Sequence, residues 1–314
     1  MARIKELLSH LQLQDDLNRL ISWAQQNNME LNGNKFEVMN YTLNSTLLNR
    51  QLPFTSQFYD YCTDNGLVIH SSDTVKDLGV LLSNDNSWTP HIRQMVEVAR
   101  RTSAWVLSVF GTRTENLMIT LLKSIVRTMV EYCSPLWDPV KLDDIRHIED
   151  IQRQFTRRIV SCKGLNYWDR LKKLKLRSLQ RRRERYIIIH VWKILNDLAP
   201  NDIGMEFKKH PRFGNKAVIP SLYKNAQRSV STAYENSFGV RGAKLFNLLP
   251  KTVNQITELD PLKAALGDFL STFPDTPPVR GYVAVNGNSL LEWGANQHSA
   301  LGVKGGCELR GVPL

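Results

Sequence analysis

Ser178-Leu179-Gln180-Arg181-Arg182-Arg183-Glu184-Arg185-Tyr186-Ile187-Ile188-Ile189-His190-Val191-Trp192-Lys193-Ile194-Leu195-Asn196-Asp197-Leu198 is the stretch from which the fold is most directly read. It predicts a helix from about Ser178 to Leu198. In its second half, Tyr186, Ile187, Ile188, Ile189, Val191, Trp192, Ile194 and Leu195 leave almost no polar side. A helix that is apolar nearly all round must be covered on every side, which places this one at the centre of a helical bundle. It does not read as a membrane span. The run from Tyr186 to Leu198 is interrupted by His190, Lys193, Asn196 and Asp197, and a span needs about 20 apolar residues.

Working outward, three stripes at helical spacing precede this helix. The first is Ile92, Met95, Val96, Ala99, Val106 and Phe110, starting at Thr89-Pro90 and ending at Gly111. The second is Leu117, Met118, Leu121, Leu122, Ile125 and Met129, stopping before Ser134-Pro135 because the residue before a proline is biased out of the helix. The third is Leu142, Ile145, Ile148, Phe155 and Ile159, with Asp143 and Asp144 favourable at its positive end. Downstream, Val240–Leu249 and Leu262–Phe273 predict short helices, and Pro274-Asp275-Thr276-Pro277-Pro278 breaks the pattern. At the other end, Leu7 to Ile21 predicts a helix, and strands are expected at Lys35–Met39, Phe54–Tyr61 and Val75–Leu82. The fold class is therefore α+β, mostly α. The expected divisions are 1–86 (helix and strands), 87–200 (helical), 201–293 (short helices) and 294–314 (a disordered tail).

The sequence has 314 residues with 42% hydrophobic, enough for a real core. Lys plus Arg number 41 against 30 Asp plus Glu, a net charge of +11. That excess favours a polyanionic partner. It is concentrated in one place. Between Arg153 and Arg185 lie Arg153, Arg157, Arg158, Lys163, Arg170, Lys172, Lys173, Lys175, Arg177, Arg181, Arg182, Arg183 and Arg185, opposed only by Asp169 and Glu184. The local excess equals that of the whole chain. Such a stretch can displace counterions from a phosphate backbone, or it can be a solvated helix face. Tyr167 and Trp168 lie inside it and could stack on unpaired bases, although aromatics so placed more often belong to a core.

Other chemistries find no support. Cys62, Cys133, Cys162 and Cys307 are scattered, without the spacing of a zinc or redox motif, and are expected to be free thiols. The opening Met1-Ala2-Arg3-Ile4-Lys5-Glu6 lacks an apolar signal core, so the expected location is intracellular, in nucleus or cytoplasm, and not secretory. There is no phosphate-cradling Gly-rich loop, dinucleotide fingerprint or nucleophile elbow. The seven histidines are isolated. Asp15-Asp16 invites a metal reading, but adjacent helix residues project about 100° apart and do not converge on an ion.

Four segments in order resemble a known family. Leu13-Gln14-Asp15-Asp16-Leu17-Asn18-Arg19-Leu20 is followed by Trp23, Asn27, Met29, Asn32, Lys35 and Val38-Met39. Next comes Val75-Lys76-Asp77-Leu78-Gly79-Val80 with Trp88 and His91-Ile92. Leu136-Trp137 precedes Ile148-Glu149 and Gln152-Arg153. Last is Leu174-Lys175-Leu176-Arg177-Ser178-Leu179 with Arg181-Arg182 and Lys193-Ile194-Leu195-Asn196. Weaker likeness continues through Leu248-Leu249-Pro250, Pro274-Asp275, Gly281-Tyr282 and Asn288 to Leu291. Together, over residues 7 to 293, these resemble the reverse transcriptases of non-LTR retrotransposons, of the jockey and chicken-repeat-1 type.

The resemblance implies that 1–86 is the end of a polymerase palm, with the β-hairpin leading to the thumb at Val75–Val80, that 87–200 is a thumb-like bundle, and that 201–293 is the region behind it. It implies RNA template and DNA primer as partners, with no membrane. Arg153, Arg157, Arg158, Lys172, Lys173, Lys175, Arg177, Arg181, Arg182, Arg183 and Arg185 are the expected nucleic-acid contacts, with Tyr167 and Trp168 as candidate stacking residues. Lys35 matches a lysine that in an intact polymerase lies near the incoming phosphates; it is equally an ordinary turn lysine. The family's aromatic-Ala-Asp-Asp strand, expected about two dozen residues before the Leu13 segment, is not in this sequence. The two Mg ions of an intact member therefore have no complete site here, and the chain alone is expected to be inactive. Two alternatives stand beside this reading: a nucleic-acid-binding protein without a polymerase, and a structural helical protein.

Overall fold

The computed structural model describes residues 7–41, 60–63, 66–201, 207–212, 214, 216–220, 228–285 and 287–294. The chain divides into two compact units, Met1–His91 and Ile92–Leu314. Its described part is mostly helical with one two-stranded sheet, an α+β chain that is mostly α.

In the first unit, helix α1 (Leu7–Gln26) is attached to the segment around Cys62. The Gln14 amide donates to the Cys62 carbonyl (2.8 Å) and accepts from the Cys62 N–H (2.9 Å), imitating a backbone pair. His10 Nδ1 lies 2.8 Å from the Tyr61 hydroxyl, both buried.

Two strand expectations need correction. Lys35–Met39 is not a strand: Gly33–Lys35 is a 3₁₀ turn, and Val38 makes only an isolated bridge to Ser71. Val75–Leu82 is not one strand but a hairpin of β1 (Thr74–Asp77) and β2 (Val80–Ser83), antiparallel, with Asp77 opposite Val80. Its two-residue turn has positive φ at both positions, Leu78 (44°) and Gly79 (87°). That is the turn that follows the right-handed strand twist, and it favours glycine or asparagine. Gly79 suits that turn and Leu78 does not, so the local pattern reads as one strand while the resemblance implied the hairpin that is found. The expected strand Phe54–Tyr61 lies outside the described residues except for Asp60 and Tyr61, and so does the expected tail beyond Gly294.

The second unit contains the bundle. Helix α2 (Thr89–Val109) leads to α3 (Glu115–Leu121), a π-helical turn Leu122–Val126 and α4 (Arg127–Glu131). Cys133 turns left-handed (φ 50°), and Ser134–Trp137 restarts as the short α5 with Pro135 in its first turn, where no N–H is required. Then follow α6 (Leu142–Thr156), α7 (Tyr167–Lys173), α8 (Leu179–Leu195), α9 (Arg228–Glu235), α10 (Phe238–Asn247), α11 (Lys251–Asn254) and α12 (Leu259–Ser271).

The all-round apolar half of α8 is the centre of the core. Ile187, Ile188, Val191, Trp192 and Ile194 are buried against Ala243, Leu245 and Phe246 of α10 and Leu262, Leu266 and Leu270 of α12. Each buried Val, Ile, Leu or Phe among them is worth roughly 1.5–3 kcal/mol of transfer free energy. The one polar atom of Trp192 is satisfied: its indole N–H donates to the Ile256 carbonyl at 2.9 Å. Helix α10 approaches closely because position 242 is glycine; a Cβ there would lie 2.8 Å from Val191 Cγ2.

Candidate nucleic-acid interface

The basic stretch Arg153–Arg185 folds into the end of α6, α7 and the first half of α8, and this sorts its charges into two groups. Consecutive helix residues point about 100° apart, so Arg181, Arg182 and Arg183 cannot all face water once α8 is covered. Arg181 and Arg183 are 1% and 0% exposed. Arg183 Nε donates to Asp138 Oδ1 at 2.8 Å, and Arg241 of α10 holds the other Asp138 oxygen at 2.8 Å. Arg181 donates to the carbonyls of Pro274 (3.1 Å) and Asn288 (2.9 Å). Arg182 forks onto Glu131 and donates to the Tyr186 hydroxyl. Arg177 donates to the Gly267 carbonyl and to Ser271 Oγ, and Arg185 to the Lys263 carbonyl, so both brace α12. The expectation that these residues present their charges to phosphates is corrected most sharply for Arg181 and Arg183, whose guanidiniums lie inside the protein.

Two carboxylates satisfy the N-terminus of α8. Asp275 accepts from the Ser178 N–H (2.7 Å) and hydroxyl (2.6 Å), and Glu149 accepts from the Leu179 N–H (3.0 Å) and the Tyr167 hydroxyl. Negative charge is favourable there, where backbone N–H groups lack helical partners. Full burial nonetheless raises the Glu149 carboxyl to about 7, against the opposing pull of the Tyr167 hydroxyl. Glu184 is likewise raised to about 7 by burial, although Arg181 and the Ser289 hydroxyl favour its charge. Tyr167 is therefore a core residue. It is 5% exposed, and its hydroxyl also accepts from Gln152 Nε2 at 3.1 Å; burial, reinforced by the Glu149 carboxylate, pushes its phenol well above the ordinary range. Trp168 is half-buried, donates to the Pro277 carbonyl at 3.2 Å and meets Tyr282 edge-on at 4.7 Å. Neither aromatic is an open stacking platform.

The second group faces out. Arg157, Arg158, Lys163, Lys172, Lys173 and Lys175 are exposed, and Arg153 is half-buried in a pair with Asp150 at 2.7 Å. Arg157, Arg158 and Lys163 border a cleft of about 730 Å³ between α2 and α6. Arg153 joins Arg157 and Arg158 around an adjacent recess of about 250 Å³. Two further cations on the larger cleft come from outside the stretch: Arg100 on α2 and Arg113 in the connection after it. Arg113 also donates to the Leu107 carbonyl, in the last turn of α2, where a cation complements the helix dipole. Among the described residues lining this cleft none is acidic. Arg170, although in the basic stretch, is buried and acts as a brace, donating to Leu165 O (2.9 Å), Arg153 O (3.0 Å) and Thr156 Oγ1 (3.3 Å).

Sequence reasoning missed Arg100 and Arg113. Only Arg100-Arg101 on the solvent side of the α2 stripe hinted at them. It also missed the inward carboxylates Glu131, Asp138, Glu149 and Asp275.

Lys35 ends the 3₁₀ turn of the first unit and is exposed. Asp15 and Asp16 sit on the exposed face of α1, both paired with Arg19. These residues do not fit a two-magnesium centre, which needs carboxylates converging on the ions. No described helix is long and apolar enough to cross a membrane. No family model, curated protein or solved structure matches the chain.

Proposed function

We propose that this chain binds nucleic acid through the phosphate backbone, as the thumb-like and downstream part of an intracellular reverse transcriptase of the non-LTR retrotransposon kind, and that by itself it does not polymerise. The observation that carries the binding is the cleft bordered by Arg100, Arg113, Arg157, Arg158 and Lys163 with no acidic residue among its described lining. Cations gathered on one concave surface release condensed counterions when a phosphate chain enters. The polymerase assignment rests on the resemblance of the ordered segments from Leu13 to Leu291. On that reading RNA template and DNA primer are the partners, and Lys35 would meet phosphates only within an intact enzyme.

One observation favours the rival of a structural helical protein: Arg170, Arg177, Arg181, Arg182, Arg183 and Arg185 are engaged in internal contacts. Salt dependence separates the two. Five cations on a single strand should give a slope of log affinity against log salt near −3.5, at about 0.7 per phosphate neutralised. Fluorescence anisotropy of a labelled RNA oligomer in rising salt measures it. Reversing Arg157, Arg158 and Lys163 to glutamate should flatten the slope by about 2. Absence of binding at low salt, or affinity indifferent to salt, sinks the nucleic-acid reading. Primer extension by the purified chain should be nil; deoxynucleotide incorporation by clean protein would overturn the inactivity.

A further inference from the structure

The cleft between α2 and α6 has two kinds of wall. Its rim is cationic, but its floor is apolar, made by Ala104 and Leu107 of α2 with Ile151 and Phe155 of α6 behind them. A site serving phosphates alone has no need of such a floor. Its volume of about 730 Å³ is that of a small-ligand pocket. A chain of stacked base pairs keeps its base faces sealed and cannot insert them; an unpaired strand can. Beside the cleft on the same helix stands Trp105, 58% exposed. It lies one turn beyond Arg101 and three residues before Ser108, which lines the cleft and donates its hydroxyl to the Trp105 carbonyl at 2.8 Å. Residues three and four apart share a helix face, so Trp105 and Arg101 stand on the side of α2 next to Ser108, at the edge of the cleft and outside its lining. Large apolar residues are common on surfaces singly. An exposed tryptophan next to an arginine-bordered cleft is the combination that single-strand binders use, with stacking on the ring and phosphates on the cations.

We propose that this cleft takes unpaired nucleotides, with bases against Leu107 and Ala104 inside it, a further base stacked on the exposed Trp105 ring beside it, and phosphates on Arg100, Arg157, Arg158 and Lys163. The proposal deepens the nucleic-acid reading and rests on it. It assigns the surface to the single-stranded part of the ligand rather than to a duplex. An acidic peptide would match the rim but would leave the floor and the indole without partners.

The test uses the full chain and four probes of matched length, about ten units, within the usual site size of single-strand binders. They are a mixed-sequence single strand, the same backbone with abasic sugars throughout, the blunt duplex, and oligoglutamate. The normal strand should bind about tenfold or more tightly than the abasic strand, and more tightly than the duplex and oligoglutamate. Trp105→Ala, at an exposed helix position, should lower affinity for the normal strand several-fold and leave the abasic strand unchanged. Arg157→Glu with Arg158→Glu should weaken both. Equal affinity for normal and abasic strands, or a duplex bound as well as the single strand, overturns the inference while leaving backbone binding intact. Oligoglutamate bound as tightly as the normal strand overturns it in favour of an acidic protein partner. No salt-sensitive binding of any nucleic acid overturns the inference and the reading beneath it together.

Discussion

Replacing Arg183 with methionine separates the two groups of arginines by their consequences. Methionine keeps an unbranched apolar stem and removes the guanidinium with its charge and its N–H donors. Arg183 is fully buried, with Nε 2.8 Å from Asp138 Oδ1. Removing one partner of a buried pair typically costs 3–5 kcal/mol, roughly, because the other charge is stranded. Here Asp138 keeps Arg241, whose guanidinium stays 2.8 Å from its second oxygen and donates to its carbonyl at 3.2 Å. Two of the Arg183 nitrogens have no hydrogen-bond partner among the described residues, so their removal recovers some desolvation. Both considerations place the cost at the lower end, about 3 kcal/mol. For a unit of this size 1 kcal/mol moves the melting temperature by about 2–4 °C, so Arg183→Met should melt about 6–12 °C below the parent. Arg157→Met, on the exposed rim, should stay within about 2 °C. The oligonucleotide assay should invert the order at a temperature where both are folded, with Arg157→Met weaker and Arg183→Met unchanged. Differential scanning calorimetry and anisotropy on the same preparations decide it. Equal melting shifts, or a binding loss confined to Arg183→Met, would refute the division of the basic stretch into an inner and an outer set.

Stability should fall as pH rises from about 4.5 toward about 7. Glu149 and Glu184 are both raised by burial, so the folded state holds protons that the unfolded chain has released. Their contribution is complete below the unfolded value and is lost through the folded one, on the order of 3 kcal/mol for each carboxyl. Urea midpoints at pH 5 and pH 7 measure the fall, and Glu184→Gln should make the profile shallower; a flat profile in the parent contradicts the buried placement. Gly242→Ala should destabilise by up to about 2 kcal/mol, since overpacking against Val191 outweighs the roughly 1 kcal/mol that alanine gains in a helix. Pairing it with Val191→Ala should not cost the sum of the two single changes, and strict additivity in denaturation would argue against the close approach. Asp275→Ala should cost about 1–2 kcal/mol by removing the acceptor at the start of α8, and faster amide exchange at Ser178 would report the loss directly.

The helices were legible because periodicity is local information. The stripes from Ile92, Leu117 and Leu142 and the apolar half of the Ser178–Leu198 segment each state which side must be covered, and the structure buries or half-buries most of each, leaving Leu142 at the end of its stripe exposed. The hairpin was less so. The β-rich character of Val75 to Leu82 reads as one strand, and only the resemblance placed a hairpin there; the reversal rests on Gly79 and on a left-handed Leu78, a residue that is no turn former. Lys35–Met39 has strand character without a strand, because pairing needs a partner and the described chain offers Val38 only an isolated bridge to Ser71.

Residue order alone establishes that the chain carries its excess charge in one segment, and that this segment runs into a helix too apolar to lie on a surface. It could not determine which of the cations remain available. That choice was made by carboxylates and carbonyls far along the chain: Glu131, Asp138, Pro274 and Asn288 drew Arg181, Arg182 and Arg183 inward, while Arg100 and Arg113 came from other segments to complete the cleft. The reason is physical. Net charge is a sum over residues and is present in any conformation, whereas exposure depends on which groups meet when α8 is covered. A buried arginine also needs partners that only the folded chain brings within hydrogen-bond reach.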